Sequence, residues 1–171
     1  MKSPGLNSIT FRAITEANRL FLVQLYKSSR GDDLRGLGWD EDRIREFLEM
    51  QYAAYGNFYR NDFPNASDEV VLWDAKPIGR LIIDRRSHEI RLVDIAVLPD
   101  YQNRGFGSQI VRRLQTEAAA QHKPLRLQVI RFNRAVGLFE RLGFVRASET
   151  GTHFQMEWLS EAPAVREGNT R

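Results

Sequence analysis

Gln102, Gly105 and Gly107 stand in the stretch Tyr101-Gln-Asn-Arg-Gly-Phe-Gly107, after an apolar run that ends at Pro99 and before a helix-like segment beginning near Phe106. That order predicts a strand feeding a glycine turn and the turn feeding a helix. The first-turn N–H groups of a helix lack intrahelical partners and point one way, and the macrodipole adds partial positive charge, so such a junction can hold an anion such as pyrophosphate. Gly105 and Gly107 have no Cβ to keep a phosphate off the main chain, and Arg104 brings a cation to the same place. Two better-known phosphate loops are excluded by spacing. A dinucleotide fingerprint needs a third glycine where this chain has Ile110, and a triphosphate loop needs Gly-Lys-Ser/Thr where it has Gly107-Ser108-Gln109.

Asp94 is the second chemical feature. It lies alone in the apolar run Leu92-Val93-Asp94-Ile95-Ala96-Val97, where a carboxylate loses hydration and its pKa rises toward that of a useful proton acceptor. The alternative is that Asp94 pairs with Arg80 or Arg91 and braces a sheet. Glu89 is a second candidate base, and like His88 it falls near a hairpin, where exposure is expected. His122, at a helix end, and His153, on a late strand, fit structural roles, and three histidines so far apart make no metal site.

The elements that must position these residues follow from periodicity and punctuation. Ser8 to Ala13 reads as a strand, and Thr15 caps a helix over 16–28 carrying Leu20, Val23 and Leu25. Ser28 to Trp39, with three glycines and mixed charge, reads as an irregular loop. Asp40 caps a helix to about Tyr59, and strands follow at 69–74, 78–84 and 89–98, the first two separated at Lys76-Pro77 and the next by a hairpin at Arg86-Ser87-His88. A long helix over 105–121 ends before Pro124; then come a strand at 125–130, a helix at 134–141 and a strand pair at 144–147 and 153–159. This mixed order implies an α/β sandwich, one domain over 1–159, with the polar segment 160–171 a mobile tail.

Composition narrows the function classes. The 171 residues suit a single domain, no apolar stretch approaches a membrane span, the N-terminus lacks a secretory core, and there is no cysteine for a disulfide, thiolate site or nucleophile. A cytoplasmic protein with no membrane partner is expected. The net charge of +3 conceals an asymmetry: residues 85–146 hold 12 Lys+Arg against 5 Asp+Glu, whereas residues 1–84 hold 11 against 13. No nucleic-acid module accompanies the basic half, so small-molecule phosphates are its more economical target than nucleic acid.

The stretch from Gln102 to Gly107 resembles the pyrophosphate motif Gln/Arg-x-x-Gly-x-Gly/Ala of the GCN5-related N-acetyltransferase (GNAT) family. Upstream, RLVDIAVLP at 91–99 resembles the family's central strand. Downstream, LQVIRFNRAVGLFERLGF at 127–144 resembles its second motif, a strand, an Asn, a short helix and Leu-Gly-Phe. The likeness is clear over about 70–159, while 1–69 agrees in the order of elements. It implies a mixed sheet of six or seven strands splayed between the fourth and fifth, helices on both faces, and acetyl-CoA in the gap as cosubstrate, with no metal. Unpaired backbone groups on the splayed edges can then bind the amide-rich pantetheine as a pseudo-strand. By the same resemblance Ala96 and Val97 supply main-chain groups, Gln102, Asn103, Arg104, Gly105, Phe106, Gly107 and Ser108 bind pyrophosphate, and Asn133 contacts the cofactor near its acyl end.

The implied reaction moves an acetyl group to a primary amine by direct attack in a ternary complex; the alternative is a catalytically silent acyl-CoA-binding sensor of the same fold. A base must free the amine, for which Asp94 is the choice, and a donor must stabilise the oxyanion. Family members often place a Tyr four residues before the Gly of Gly-Phe, against the cofactor sulfur, as the acid. Here Phe139 occupies that position, leaving Tyr101, Tyr55 and Tyr59 as the other phenols, or no acid at all, since coenzyme A has a thiol acidic enough to leave as thiolate. The acceptor cleft falls to the first two helices and their loop, with Trp39, Phe47, Tyr52, Tyr55, Phe58, Tyr59 and Phe63 beside Asp32, Asp33, Asp40, Glu41 and Asp42. Aromatic faces and carboxylates suit a cationic amine. A monomer or a homodimer would serve.

Overall fold

The computed structural model describes residues 9–160, apart from the side chains of residues 30–33 and 35. Seven strands, β1 (Ile9–Ala13), β2 (Ser67–Trp73), β3 (Lys76–Arg85), β4 (Ile90–Val97), β5 (Leu125–Ile130), β6 (Val145–Glu149) and β7 (His153–Trp158), form one sheet in the order β1-β2-β3-β4-β5-β7-β6. Four helices pack around it: α1 (Arg19–Arg35), α2 (Glu41–Asp62), α3 (Phe106–Ala120) and α4 (Ala135–Arg141). None of the helices among the described residues is long and apolar enough to cross a membrane. The segment 161–171 lies outside the described residues, so the expected tail is described only at Ser160.

Every neighbouring strand pair is antiparallel except β4 with β5. That parallel pair matches Ile90 to Leu125, Arg91 to Arg126 and Leu92 to Leu127, and among the described residues its register goes no further. Ile90 and Leu92 are buried while Val93 to Val97 are half-buried, and on β5 the face that carries half-buried Arg126 becomes exposed at Gln128 and Ile130, Val129 staying buried on the other face. The sheet therefore splays between its fourth and fifth strands, and the gap begins one residue before Asp94. The core lies where α3 covers the sheet, with Phe106, Ile110, Val111, Leu114 and Ala118 packed among Leu81, Ile83, Ile90, Leu125 and Leu127. At roughly 1.5–3 kcal/mol for each large side chain removed from water, this layer anchors α3 and with it the glycine turn at its N-terminus.

Three expectations are corrected. The segment Ser28–Trp39 is not an irregular loop: α1 continues to Arg35, and only the last residues form a turn, with Gly38 at φ +70°. Gly31 costs about 1 kcal/mol relative to Ala in a helix interior. Ser28 and Ser29, however, send their hydroxyls back to the carbonyls of Leu25 and Tyr26, each at 2.8 Å, so their polar groups are satisfied within the helix. Lys76-Pro77 is not the punctuation between β2 and β3. The reversal is made by Asp74 and Ala75, both left-handed at φ +48° and +64°, as a two-residue hairpin of primed type requires, and Pro77 enters β3 beside a register shift. Glu89, expected to be exposed near the hairpin, is 2% exposed.

Candidate active site

The strand, turn and helix around the glycine motif come out as the sequence predicts. β4 ends at Val97, a 3-10 turn spans Pro99–Tyr101, and α3 starts at Phe106 with Gly105 as its N-cap. Asn103 and Gly105 are both left-handed, at φ +57° and +86°, which folds the loop back over the helix entry. Beyond its own chain neighbours, no atom lies within 4 Å of where a Cβ on Gly105 would stand, so the space in front of this residue at the helix entry is open. Gly107 and Ser108 are half-buried in that turn, whereas the Phe106 ring is 1% exposed in the core, so only its backbone can serve a ligand.

Gln102 and Arg104 sit differently from simple phosphate clamps. The Gln102 side chain donates to the carbonyl of Val97 at 2.8 Å, tying the loop to the end of β4. The Arg104 guanidinium lies 5.6 Å from the Trp73 and Tyr101 ring centroids and 5.8 Å from that of Phe106, and donates to the Asp100 carbonyl at 3.2 Å. Its cation is held beside the loop by aromatic faces. Tyr101, 9% exposed, belongs to that aromatic cluster.

A cavity of about 260 Å³ adjoins the unpaired half of β4. Asp94, Ile95 and Ala96 line it from β4, Asn133 from the turn before α4, Tyr52 and Tyr55 from α2, and Arg80 from β3. The structure thus brings Asn133, which the sequence placed on the second motif, to Asp94 and Ala96 of the central strand. The Asn133 side-chain oxygen accepts from the Ala135 N–H at 2.8 Å, which fixes its orientation at the start of α4. The remaining wall comes from Leu22, Leu25, Tyr26 and Ser29 of α1, of which the sequence singled out only Leu25, and that as an apolar residue of the helix. Their spacing was the available signal, since positions i, i+3, i+4 and i+7 share one helix face.

The tyrosines of this cavity form a ring cluster, with Tyr26 centroids 5.6 Å from Tyr52 and 5.5 Å from Tyr55. The Tyr59 hydroxyl donates to the Tyr55 hydroxyl at 2.6 Å. Burial first, then the negative charge of Asp94, push the Tyr55 phenol well above its ordinary pKa. Burial likewise raises Tyr52. Arg80 donates to both oxygens of Asp68, from Nε at 2.8 Å and from an Nη at 2.5 Å, and Arg91 donates from Nε to Glu89 at 3.1 Å. The two arginines considered as braces for Asp94 thus each have a carboxylate partner elsewhere, although the charge of Asp94 does help hold the Arg80 proton.

Glu89 is built as a structural carboxylate. It receives Arg86 and Arg91 at 3.1 Å and Arg126 at 3.0 Å; burial pushes its pKa up, but the bonds from Arg91 and Arg126 outweigh this and hold it below the usual value. A carboxylate so held is a poor proton acceptor, and Glu89 is not among the residues lining the cavity of Asp94. Phe139 is 4% exposed and packs edge-on to Phe144 at 5.5 Å, inside the core. His88 is exposed, as expected.

The first two helices also frame a larger cavity of about 1040 Å³, lined by Tyr59 and Phe63 and separated from the smaller one by Leu22, Tyr52 and Arg80, which line both. Of the residues assigned to an acceptor cleft, Trp39 and Phe47 instead pack on each other, with Arg43 4.4 Å above Trp39, and Phe58 is 54% exposed. Asp40 accepts from the Arg43 N–H at 2.8 Å as the α2 N-cap, and Glu41 and Asp42 are exposed in its first turn, where acidic residues favour the dipole. The side chains of Asp32 and Asp33 lie outside the described residues.

Comparison with known proteins agrees with this geometry. Residues 66–146 match the model of a family described as an acetyltransferase (GNAT) domain. A search of curated protein sequences finds no match. Among solved structures, PaiA N-acetyltransferase from Thermoplasma acidophilum in complex with coenzyme A aligns with a TM-score of 0.67 and 17% identity over 90% of this chain and 99% of that one. The ribosomal-protein-S18-alanine N-acetyltransferase from Escherichia coli aligns at 0.61 and 20% over 92% and 97%, and a spermidine N-acetyltransferase SpeG chimera from Vibrio cholerae and hSSAT at 0.61 and 22% over 90% and 96%. These likenesses establish the fold, and the family match over residues 66–146, which spans the splayed β4–β5 pair and the glycine motif at the α3 entry, shows that this part of the chain is a GNAT acetyltransferase domain.

Proposed function

We propose that this protein transfers the acetyl group of acetyl-CoA to a primary amine that enters the small cavity beside Asp94. The observation that carries the reading is the convergence of Asp94, Tyr55, Ala96 and Asn133 on one cavity next to the unpaired half of β4. The open Gly105 turn suits pyrophosphate, and the gap from Val93 onward suits pantetheine. Arg104 contributes a nearby cation, and the coenzyme A in the PaiA structure supports the choice of cosubstrate. On this reading residues 1–159 act as one acetyltransferase domain.

The acceptor arrives as an ammonium ion, attracted by Asp94 and by the faces of Tyr26, Tyr52 and Tyr55. Asp94 takes one proton, directly or through water, and the freed amine attacks the thioester carbonyl. As the tetrahedral species collapses, the C–S bond breaks and the second proton passes from nitrogen to the thiolate. Tyr55 replaces the phenol absent at Phe139, but as a hydrogen-bond donor and not as a full acid. Its pKa lies above 10, so complete transfer to a thiolate of pKa about 8.5 would be uphill. A donor that keeps its proton is suited to an oxyanion or to developing thiolate charge.

Two measurements test the proposal. Calorimetric titration should show acetyl-CoA binding that Gly105→Glu abolishes in a folded protein, and an amine panel assayed for thiol release should find a turned-over acceptor. Wild-type affinity in Gly105→Glu would remove the phosphate cradle. Binding without turnover on any amine would favour an acyl-CoA sensor, the reading that the buried Phe139 otherwise encourages.

A further inference from the structure

The middle rung of the β4–β5 pairing sets Arg91 opposite Arg126. Two guanidinium groups across a strand pair repel, and these two occupy the centre of the only stretch, among the described residues, where β4 and β5 are in register. A single carboxylate lies between them. Glu89 accepts from Arg91 Nε through one oxygen at 3.1 Å and from an Arg126 Nη through the other at 3.0 Å, and it is 2% exposed. Arg86 adds a third contact to the first oxygen at 3.1 Å, while Arg126 also reaches Glu157 on β7 at 2.5 Å. The acceptor is buried while Arg91 and Arg126 keep 22% and 39% of their side-chain exposure, so little water reaches the carboxylate to compete with these charge-assisted bonds, which resist both shear and separation of the two strands.

We propose that Glu89 is a positioning residue: its carboxylate straps β4 to β5 at the apex of the splayed pair and so sets the width of the gap that receives the pantetheine arm. The inference rests on the reading of the gap as the acetyl-CoA site. Past the strap the strands are free to diverge, and a small rotation about the apex is amplified along the five residues from Val93 to Val97. Removing the carboxylate leaves Arg91 and Arg126 opposed and widens that angle. The side chain of Glu89 touches neither cosubstrate nor acceptor in this scheme, so its loss acts on acetyl-CoA affinity before it acts on turnover.

The test uses Glu89→Gln and the double variant Glu89→Gln/Arg91→Leu, which removes one charge of each sign and ends the opposition. In the ligand-free proteins, hydrogen exchange of the 125–127 amides should accelerate at least roughly tenfold in the single variant and recover in the double. The Kd for acetyl-CoA should rise roughly tenfold or more in the single variant and return to within about threefold of wild type in the double, with kcat changed less than KM. A double variant as weak as the single, or a single variant with wild-type exchange and affinity, overturns the strap. If Glu89→Gln does not fold, Arg126→Met cuts the strap from the β5 side and leaves Glu89 two cations. Unchanged 125–127 exchange there overturns it equally, and accelerated exchange supports it. Should wild type not bind acetyl-CoA at all, the reading of the gap fails while the exchange measurements still judge the strap.

Discussion

Asp94 on β4 and Tyr55 on α2 line one cavity, and the charge of the first is part of what holds the proton on the second. This coupling gives the substitution Asp94→Asn two separable readouts. The amide keeps the shape but removes basicity and charge. If Asp94 accepts the amine proton, turnover falls by roughly 10² or more with acetyl-CoA affinity near wild type, and the acidic limb of the pH–rate profile changes. Independently, the Tyr55 phenol, followed by its ultraviolet absorbance, titrates at lower pH once the neighbouring negative charge is gone. If Asp94 only braces the sheet, melting temperature falls and the pH–rate profile of the residual activity stays put. A stable, fully active Asp94→Asn protein would refute both roles.

Among the elements, those with strong local signals were legible in the sequence. The Asp40 cap, the stop before Pro124 and the Gly105 turn each rest on chemistry confined to a few neighbouring residues, and each element stands where expected to within a few residues. Two things were not legible. The length of α1 depends on hydroxyls satisfied inside the helix and on a face that lines the Asp94 cavity, so tertiary context overrides the glycine signal of Ser28–Trp39. The turn between β2 and β3 uses Asp74 and Ala75 at positive φ; Asp is favoured there, but Ala75 stands where Gly is the preferred residue. The α1 wall of the site escaped with the length of that helix, since Leu22, Tyr26 and Ser29 reach Asp94 only through the packing of α1. The exposed Ala75 at φ +64° carries strain of roughly 1 kcal/mol from its Cβ. Ala75→Gly relieves it against a more flexible unfolded chain, so chemical denaturation should show a gain of about 0.5 kcal/mol with an unchanged m-value. A loss of stability would mean that the turn is not left-handed at this position.

Across the whole molecule, stability should be limited at both ends of the pH scale by groups at opposite ends of the site. Glu89 has a folded pKa below its ordinary 4.5, so its contribution is complete above about pH 4.5 and is lost as pH falls through the folded value. Tyr52 and Tyr55 have folded pKa values raised above 10, so their contribution is complete below pH 10. It is lost as pH climbs beyond that, because the unfolded phenols ionise first and draw the equilibrium toward unfolding. The acid limb belongs to the β4–β5 apex and the alkaline limb to the cavity wall, so the two are separable by mutation. Removing the Tyr52 and Tyr55 hydroxyls together as Tyr52→Phe/Tyr55→Phe should flatten the stability profile above pH 10 and leave the acid side unchanged. Glu89→Gln, or Arg126→Met if the former does not fold, should flatten the profile below pH 4.5 and leave the alkaline side alone. Equilibrium denaturation of each variant across this range measures both limbs. An alkaline limb that survives loss of both phenols would mean that these tyrosines are not held neutral by burial, and Tyr55 would then lose the retained proton on which its role as a donor depends.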